Sequence, residues 1–218
     1  MKRAVLFDLD GTLVESLPGI AQSLNAALKE IKHPPYSENQ VQNFIGNGAH
    51  RLIKNALPGA DSNTIQKTLT YFSEHYRQHW RQGTCLFPGI SELLSDLKSD
   101  HWHLAILSNK PHEFVQKITQ ELFSPDLFDQ VLGQRSGVPL KPNPESTLQI
   151  IRQFQISPAE CFFVGDSIVD IETAKNANIS SVLVTWGYQN LQNPVTANTL
   201  AQTPQKLKTI LLSARRIS

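Results

Sequence analysis

The chain is poor in cysteine, poor in charge and without a long apolar run, and each shortage removes a class of protein. Its 218 residues include two cysteines, Cys85 and Cys161. Two cannot build a disulfide framework, and Cys161 sits inside an apolar, strand-like stretch, so both read as reduced thiols of a cytoplasmic protein. Charged residues make up 18% of the chain, against about 25% in an average protein. The formal net charge is +1, with the signs interspersed. That leaves no basic face for nucleic acid or a membrane surface. The longest apolar stretches, around Leu104–Leu107 and Val182–Val184, are strand-sized and far below the ~20 residues of a membrane span. Met1-Lys2-Arg3 is basic, but Ala4–Phe7 runs straight into Asp8 and Asp10, so no signal peptide is readable. Apolar residues still reach 40%, enough for one core, or one core with a smaller insert.

What is present has a clear order. Five short apolar runs, Ala4–Phe7, Leu104–Leu107, Gln130–Leu132, Cys161–Val164 and Val182–Val184, are each followed by loop-forming residues. Helical patterns over Pro111–Leu122, Asn143–Phe154 and Ile168–Asn176 separate the later ones. Strands alternating with helices of this length predict an α/β fold, a Rossmann-like parallel sheet covered on both faces. Its chemistry should gather at the carboxyl ends of the strands. Between the first and second strands, residues 14–83 read as helices only. One covers Gly19–Ile31 and is stopped by Pro34-Pro35, one follows Gly46-Asn47-Gly48, and one covers Asn63–Arg81. This predicts a core domain of residues 1–13 and 84–218 with a helical insert of residues 14–83. After Lys208 the pattern suggests a last helix and a frayed end.

The polar residues after the strands carry the chemistry. Asp8 and Asp10 are two positions apart just past the first strand and can face one cleft if strand geometry persists. Gly11 then permits a sharp turn. An Asp-x-Asp-Gly also opens calcium loops, but the later oxygen ligands and the closing Glu are missing. Ser108-Asn109-Lys110 follows the second run, Lys141-Pro142 precedes the helix expected near Asn143, and Gly165-Asp166-Ser167 with Asp170 follows the fourth run. Each alone has a plainer reading: helix caps for Ser108 and Asn109, a solvated lysine for Lys141, helix-start carboxylates for Asp166 and Asp170. Together they place acids, a hydroxyl and a lysine at the ends of four strands of one sheet.

This ordered set resembles the haloacid dehalogenase superfamily, with Asp-x-Asp-x-Thr, then Ser or Thr, then Lys, then Gly-Asp-x-x-x-Asp. The resemblance covers almost the whole chain, and the insert is similar to that family's cap domain. The stretches Ile45-Gly46-Asn47-Gly48, Phe87-Pro88-Gly89, Ser108-Asn109-Lys110-Pro111, Lys141-Pro142-Asn143-Pro144 and Phe163-Val164-Gly165-Asp166-Ser167 resemble bacterial phosphoglycolate phosphatases. Asn178 departs from the family's usual Gly, but Asn tolerates a left-handed cap. The resemblance implies a phosphatase of small phosphate monoesters, most of all 2-phosphoglycolate, with Mg²⁺ on the side chains of Asp8 and Asp166 and the backbone carbonyl of Asp10. It also implies the roles. Asp8 is the nucleophile and Asp10 the acid and base; Ser108 and the amide of Asn109 hold phosphoryl oxygens. Lys141 balances charge, and Asp170 acts behind them on metal water or on the lysine. A sugar-phosphate mutase shares every core motif, and a catalytically inactive binding protein could share the fold. The partner expected is a small phosphorylated metabolite, bound by a monomer or a homodimer.

Several other features point less far. His75 and His79, four apart on one helix, could pair on a metal, but no third ligand is near and a solvated helix face accounts for them. His101 and His103 flank Trp102 and suggest a loop and a sheet edge. Gly46 and Gly48 either punctuate two helices or touch substrate. Arg51, one turn on, either reads a substrate carboxylate or is an exposed arginine.

Overall fold

The computed structural model describes residues 3–188 and 199–213. Strand β1 (Arg3–Phe7) is followed by the two-residue strand β2 (Val14–Glu15), and then by helices α1 (Leu17–Glu30), α2 (Glu38–Gln42), α3 (Gly48–Ala56) and α4 (Ser62–His79). The chain returns through β3 (Cys85–Leu86) to α5 (Ile90–Ser99), β4 (Trp102–Pro111), α6 (His112–Leu122), β5 (Gln130–Gln134) and α7 (Glu145–Phe154). It closes with β6 (Cys161–Gly165), α8 (Ile168–Asn176), β7 (Ser180–Val184), β8 (Leu200–Ala201) and α9 (Pro204–Ser213).

The main sheet has the order β5-β4-β1-β6-β7-β8, and every pairing in it is parallel. Side chains alternate across it. Val5 and Phe7 of β1 join Leu104, Ile106, Val164 and Val182 on one face, against Ile90, Leu94 and Leu97 of α5 and Leu207 and Leu211 of α9. Ala4 and Leu6 join Ala105, Leu107 and Phe163 on the other, against Ile150, Ile151 and Phe154 of α7. Because both faces are covered, the strands must be apolar throughout rather than alternating, which is what made the runs readable. With β4 on one side and β6 on the other, β1 is central. The residue after it therefore opens between the two neighbouring strand ends.

Helices α1, α3 and α4 build a second apolar cluster from Leu24, Leu28, Leu52, Ile53, Phe72 and Tyr76. Amphipathic spacing drives this: Ile20, Leu24, Ala27 and Leu28 lie on one buried face of α1. At the head of α4, Asp61 caps the helix by accepting from the backbone N–H groups of Asn63 (2.9 Å) and Thr64 (3.0 Å). Phe114 of α6 and Tyr188 belong to the same cluster, so the helices sit down on the strand ends.

The sequence reading needs correction in several places. Residues 14–83 are not helices only, because Val14 and Glu15 pair antiparallel with Leu86 and Cys85, making a two-stranded neck where the chain leaves the main sheet for the helices and returns to it. The main sheet gains a sixth strand, β8, at its edge. Strand β4 extends through Ser108, Asn109 and Lys110 to Pro111, so α6 begins at His112 and not at Pro111. Helix α7 starts at Glu145, whose N–H is capped by the Asn143 side chain at 2.9 Å. His101 takes a left-handed turn, but His103 lies in β4, an interior strand, with its ring stacked on Phe154. The last helix begins at Pro204, before Lys208, while Met1-Lys2 and the expected frayed end beyond 213 lie outside the described residues. Asn178 takes the left-handed conformation expected of it. Among the described residues no helix is long and apolar enough to cross a membrane.

Candidate active site

The cleft is built where β1, β4 and β6 end. Asp8 follows β1, and Asp166 follows β6. One carboxylate oxygen from each of Asp8, Asp166 and Asp170 lies within 4.8 Å of the others, and all three residues are buried. Lys141 sits among them, with its Nζ 3.0 Å from Asp8 Oδ1 and 2.7 Å from Asp170 Oδ1. Lys141 reaches this position from a loop that is pinned by the side chain of Asn109. Asn109 Oδ1 accepts from Lys141 N at 2.8 Å, and its Nδ2 donates to Lys141 O at 3.1 Å and to Gly46 O at 3.2 Å. One amide thus ties together strand β4, the lysine loop and the turn before α3.

Asp170 is fully engaged. Its Oδ1 takes the Lys141 ammonium, and its Oδ2 accepts from Ser167 N (3.1 Å) and Ser167 Oγ (2.6 Å). It is the third helical residue of a capping box that starts α8. Asp166 accepts from Tyr188 N at 2.7 Å and from the Thr12 hydroxyl at 3.4 Å. Asp8 Oδ1, although within ion-pair reach of Lys141, makes no hydrogen bond. Glycines close this end of the cleft. Gly11 has φ +81, and a Cβ there would come within 2.4 Å of Asp166 Oδ2, so the turn predicted after Asp10 requires glycine.

Electrostatics follow from burial. Desolvation lifts the Asp8 carboxyl to about 6, opposed by Lys141 and assisted by the charges of Asp170 and Asp10. Asp166 is pushed well above the usual carboxylate range, first by burial and then by Asp170 and Asp8. Burial works against the Lys141 charge, but Asp170 and Asp8 outweigh it and hold the ammonium more firmly than usual. Asp8 and Asp170 share one ammonium and Asp166 stands beside them without a cation of its own, so carboxylates outnumber positive groups here. A divalent cation with hard oxygen ligands fits that excess, and Asp8 and Asp166 have the free coordinating capacity that Asp170 lacks.

Asp10 turns away from this cluster. Both its oxygens are 3.0 Å from Lys110 Nζ, and Oδ1 also accepts from Ser16 Oγ at 2.6 Å. Lys110 is buried, and the pairing with Asp10 overcomes the desolvation of its charge and raises its pKa. The ammonium also lies 4.7 Å from the centroid of the Tyr76 ring on α4. The Tyr188 hydroxyl accepts from Ser16 N (2.6 Å) and Leu17 N (3.0 Å) and donates to Glu15 (2.8 Å), just past the neck.

Above the carboxylates, a cavity lies between the sheet ends and the helical insert. Asp8, Asp10, Ser108, Asn109, Lys110 and Asp166 line its floor, and Ile45, Gly46, Gly48, Ala49, Leu52, Phe72 and Tyr76 line its roof. The structure therefore brings Asp8, Asp10, Ser108, Asn109, Asp166, Gly46 and Gly48 to one cavity, with Lys141 and Asp170 directly behind Asp8. Arg51 is exposed and lies outside the lining. His75 and His79 stack at 4.0 Å, with His75 Nδ1 3.0 Å from Ser23 Oγ, so the pair is half-buried packing rather than a solvated face. Lys110 was named from sequence only within Ser108-Asn109-Lys110, without a role of its own, and Ser16, Tyr76 and Tyr188 were not singled out. The four meet only through tertiary folding, and no local pattern marks the last three.

Similarity to known proteins agrees with this geometry. Residues 5–184 match the model of the haloacid dehalogenase-like hydrolases. A phosphoglycolate phosphatase of Colwellia psychrerythraea is 36% identical over 194 residues, covering 86% of each chain. That of Mannheimia succiniciproducens is 37% identical over 198 residues, covering 87% of this chain and 88% of its own. The crystal structure of a predicted phosphoglycolate phosphatase from Haemophilus somnus superposes with a TM-score of 0.88 at 32% identity, covering 95% of this chain and 97% of its own. With a family match over most of its length and a cleft carrying the family's ordered motifs, the chain belongs to the haloacid dehalogenase-like hydrolases.

Proposed function

We propose that this protein is a Mg²⁺-dependent phosphatase of small phosphate monoesters, with 2-phosphoglycolate as its preferred substrate and residues 14–83 as its cap. The observation that carries the reading is the convergence of Asp8, Asp166 and Asp170 around the Lys141 ammonium at the end of the central strand. The names of the relatives support phosphoglycolate over a sugar phosphate, and hydrolysis over transfer between sugars.

The residues divide the work by position. Asp8 and Asp166 would hold the cation by their side chains and Asp10 by its backbone carbonyl; once bound, it neutralises phosphoryl charge so that an anion can be attacked. Asp8 attacks phosphorus and becomes an aspartyl phosphate as the ester oxygen leaves. Asp10 gives that oxygen a proton and later takes one from the water that hydrolyses the acyl phosphate. Ser108 and the Asn109 amide hold phosphoryl oxygens. Lys141 carries positive charge against Asp8, and Asp170 fixes that lysine without leaving its hydrogen bonds to Ser167.

Phosphate release from a panel of monophosphates with Mg²⁺, including 2-phosphoglycolate and glucose phosphates, tests the reading. Turnover of 2-phosphoglycolate that stops with chelator and returns with Mg²⁺ is expected. Conversion of a sugar phosphate without phosphate release would replace it with the mutase.

A further inference from the structure

Among the described residues, Lys110 is the only cationic side chain that lines the cavity. Its neighbours on the roof, Ile45, Leu52 and Phe72, with Phe114 from the sheet domain, cannot balance an anion. Arg51, which the sequence offers either as a reader of a substrate carboxylate or as an exposed arginine, is exposed and outside the lining. Lys110 has three donors, and Asp10 takes two directions of approach, at 3.0 Å each. The remaining side of the ammonium faces the Tyr76 ring.

Tyr76 supplies a second and independent sign. It is 1% exposed, it lines the same cavity, and its hydroxyl meets only the Lys110 ammonium, with no acceptor for its own proton. A buried donor left unmade costs stability unless something occupies it. Its ring needs no such explanation, being stacked on Phe72 at 5.6 Å and edge-on to Phe114 at 4.9 Å. A phenol whose proton has no acceptor, beside the one ammonium that lines the cavity and beneath the apolar roof of Ile45, Leu52 and Phe72, is a two-donor seat for an anion.

We propose that Lys110 and Tyr76 form the seat for a carboxylate on the substrate's leaving group, so that the enzyme selects phosphate esters of α-hydroxy acids. The proposal rests on the phosphatase reading and deepens it. In that reading Asp10 touches the ester oxygen. A carboxylate one carbon away from that oxygen falls beside Asp10, where Lys110 is. Tyr76 comes from the cap and Lys110 from the sheet domain, so the seat is complete only with the cap down. A monoester with a neutral tail leaves the phenol unsatisfied and takes nothing from the ammonium.

The test compares kcat/KM for 2-phosphoglycolate and for its neutral primary amide, in the wild type, Lys110→Met, Lys110→Arg and Tyr76→Phe. The wild type should favour the acid. Lys110→Met should slow both substrates through its lost grip on Asp10, but cost the acid at least about tenfold more, the worth of a hydrogen bond to a charged group. Lys110→Arg should recover part of that preference. Tyr76→Phe keeps the ring packing and therefore the fold, and it should also penalise the acid selectively, again by about tenfold. Equal losses for acid and amide in Tyr76→Phe, or a wild type that turns over both alike, would overturn the seat while leaving the phosphatase intact. A wild type that hydrolyses no monoester at all would overturn the phosphatase reading itself.

Discussion

Asn109 offers the sharpest test of the site's architecture, because its side chain is buried and makes three hydrogen bonds to two distant loops. Asn109→Ala removes all three without touching the backbone amide assigned to phosphate. The Lys141 N–H is left buried with no acceptor, at a cost of about 1–3 kcal/mol. Loss of the bond to Lys141 O adds about 1 kcal/mol, and the half-exposed Gly46 O regains water, so its bond counts for less. The total is about 3 kcal/mol, and in a domain of this size each kcal/mol moves Tm by about 2–4 °C. Calorimetry should therefore show Tm falling by about 6–12 °C. Because Lys141 loses its anchor, kcat should fall as well, even at temperatures where the variant is fully folded. Asn109→Asp keeps the acceptor for Lys141 N but sets a carboxylate oxygen against two carbonyls, so it should be no better than alanine. A Tm within 1 °C of wild type, or an aspartate variant as stable as the asparagine, would refute the staple.

Asp8→Asn should lower kcat by about three orders of magnitude or more in a phosphate-release assay, since a neutral amide is a poor nucleophile; activity within tenfold of wild type removes Asp8 from that role. Asp10→Ala should slow single-turnover phosphorylation by alkyl phosphates about 10²–10⁴-fold and by aryl phosphates much less, because an aryl oxide leaves without a proton. Equal losses with both leaving groups count against Asp10 as the acid. Without metal, folded Asp8 keeps a proton up to about 6 that the unfolded chain releases near 3.8, so this group's contribution to stability declines as pH rises between those values. Mg²⁺ competes with that proton, and thermal scans should show it raising Tm more at pH 7.5 than at pH 5. A larger shift at pH 5 would contradict the assignment of the cation to Asp8.

The sheet was legible because a strand buried on both faces must be apolar throughout, and Asp8, Ser108 and Asp166 stand out against that background. The turn at Gly11 and the left-handed Asn178 were legible because only certain residues tolerate those angles. The neck was not, since Val14–Glu15 and Cys85–Leu86 are strands of two residues and have no period to read. His103 was misplaced because a parallel strand's first residues can be polar at the far end of the sheet without lying at its edge. The Lys110–Tyr76 contact joins residues of two elements, and the Asn109 bonds span 32 and 63 positions. Nothing local in the chain encodes either, so only the fold could disclose them. Arg51 had two readings because nearness to Gly48 along the sequence does not say which way helix α3 turns it, and the exposed one holds.

Crowding around the glycines divides the cleft into a wall that can vary and one that cannot. A Cβ at Gly165 would stand 2.2 Å from Asp170 Cγ, and one at Gly187 would stand 2.3 Å from Asp166 Cβ and from Gly11 O. With Gly11 as well, the wall behind the acids admits no added carbon without displacing the Asp166 and Asp170 side chains. The roof, from Ile45, Ala49, Leu52 and Phe72, meets the cavity through side chains that can be resized. Mutational tolerance should accordingly be lopsided. A library randomised at those four roof positions should return folded proteins with altered leaving-group preference, while one randomised at Gly11, Gly165 and Gly187 should return almost only the parent. For anyone reshaping the substrate range, the usable design space is the roof, and the chemistry beneath it comes along unchanged.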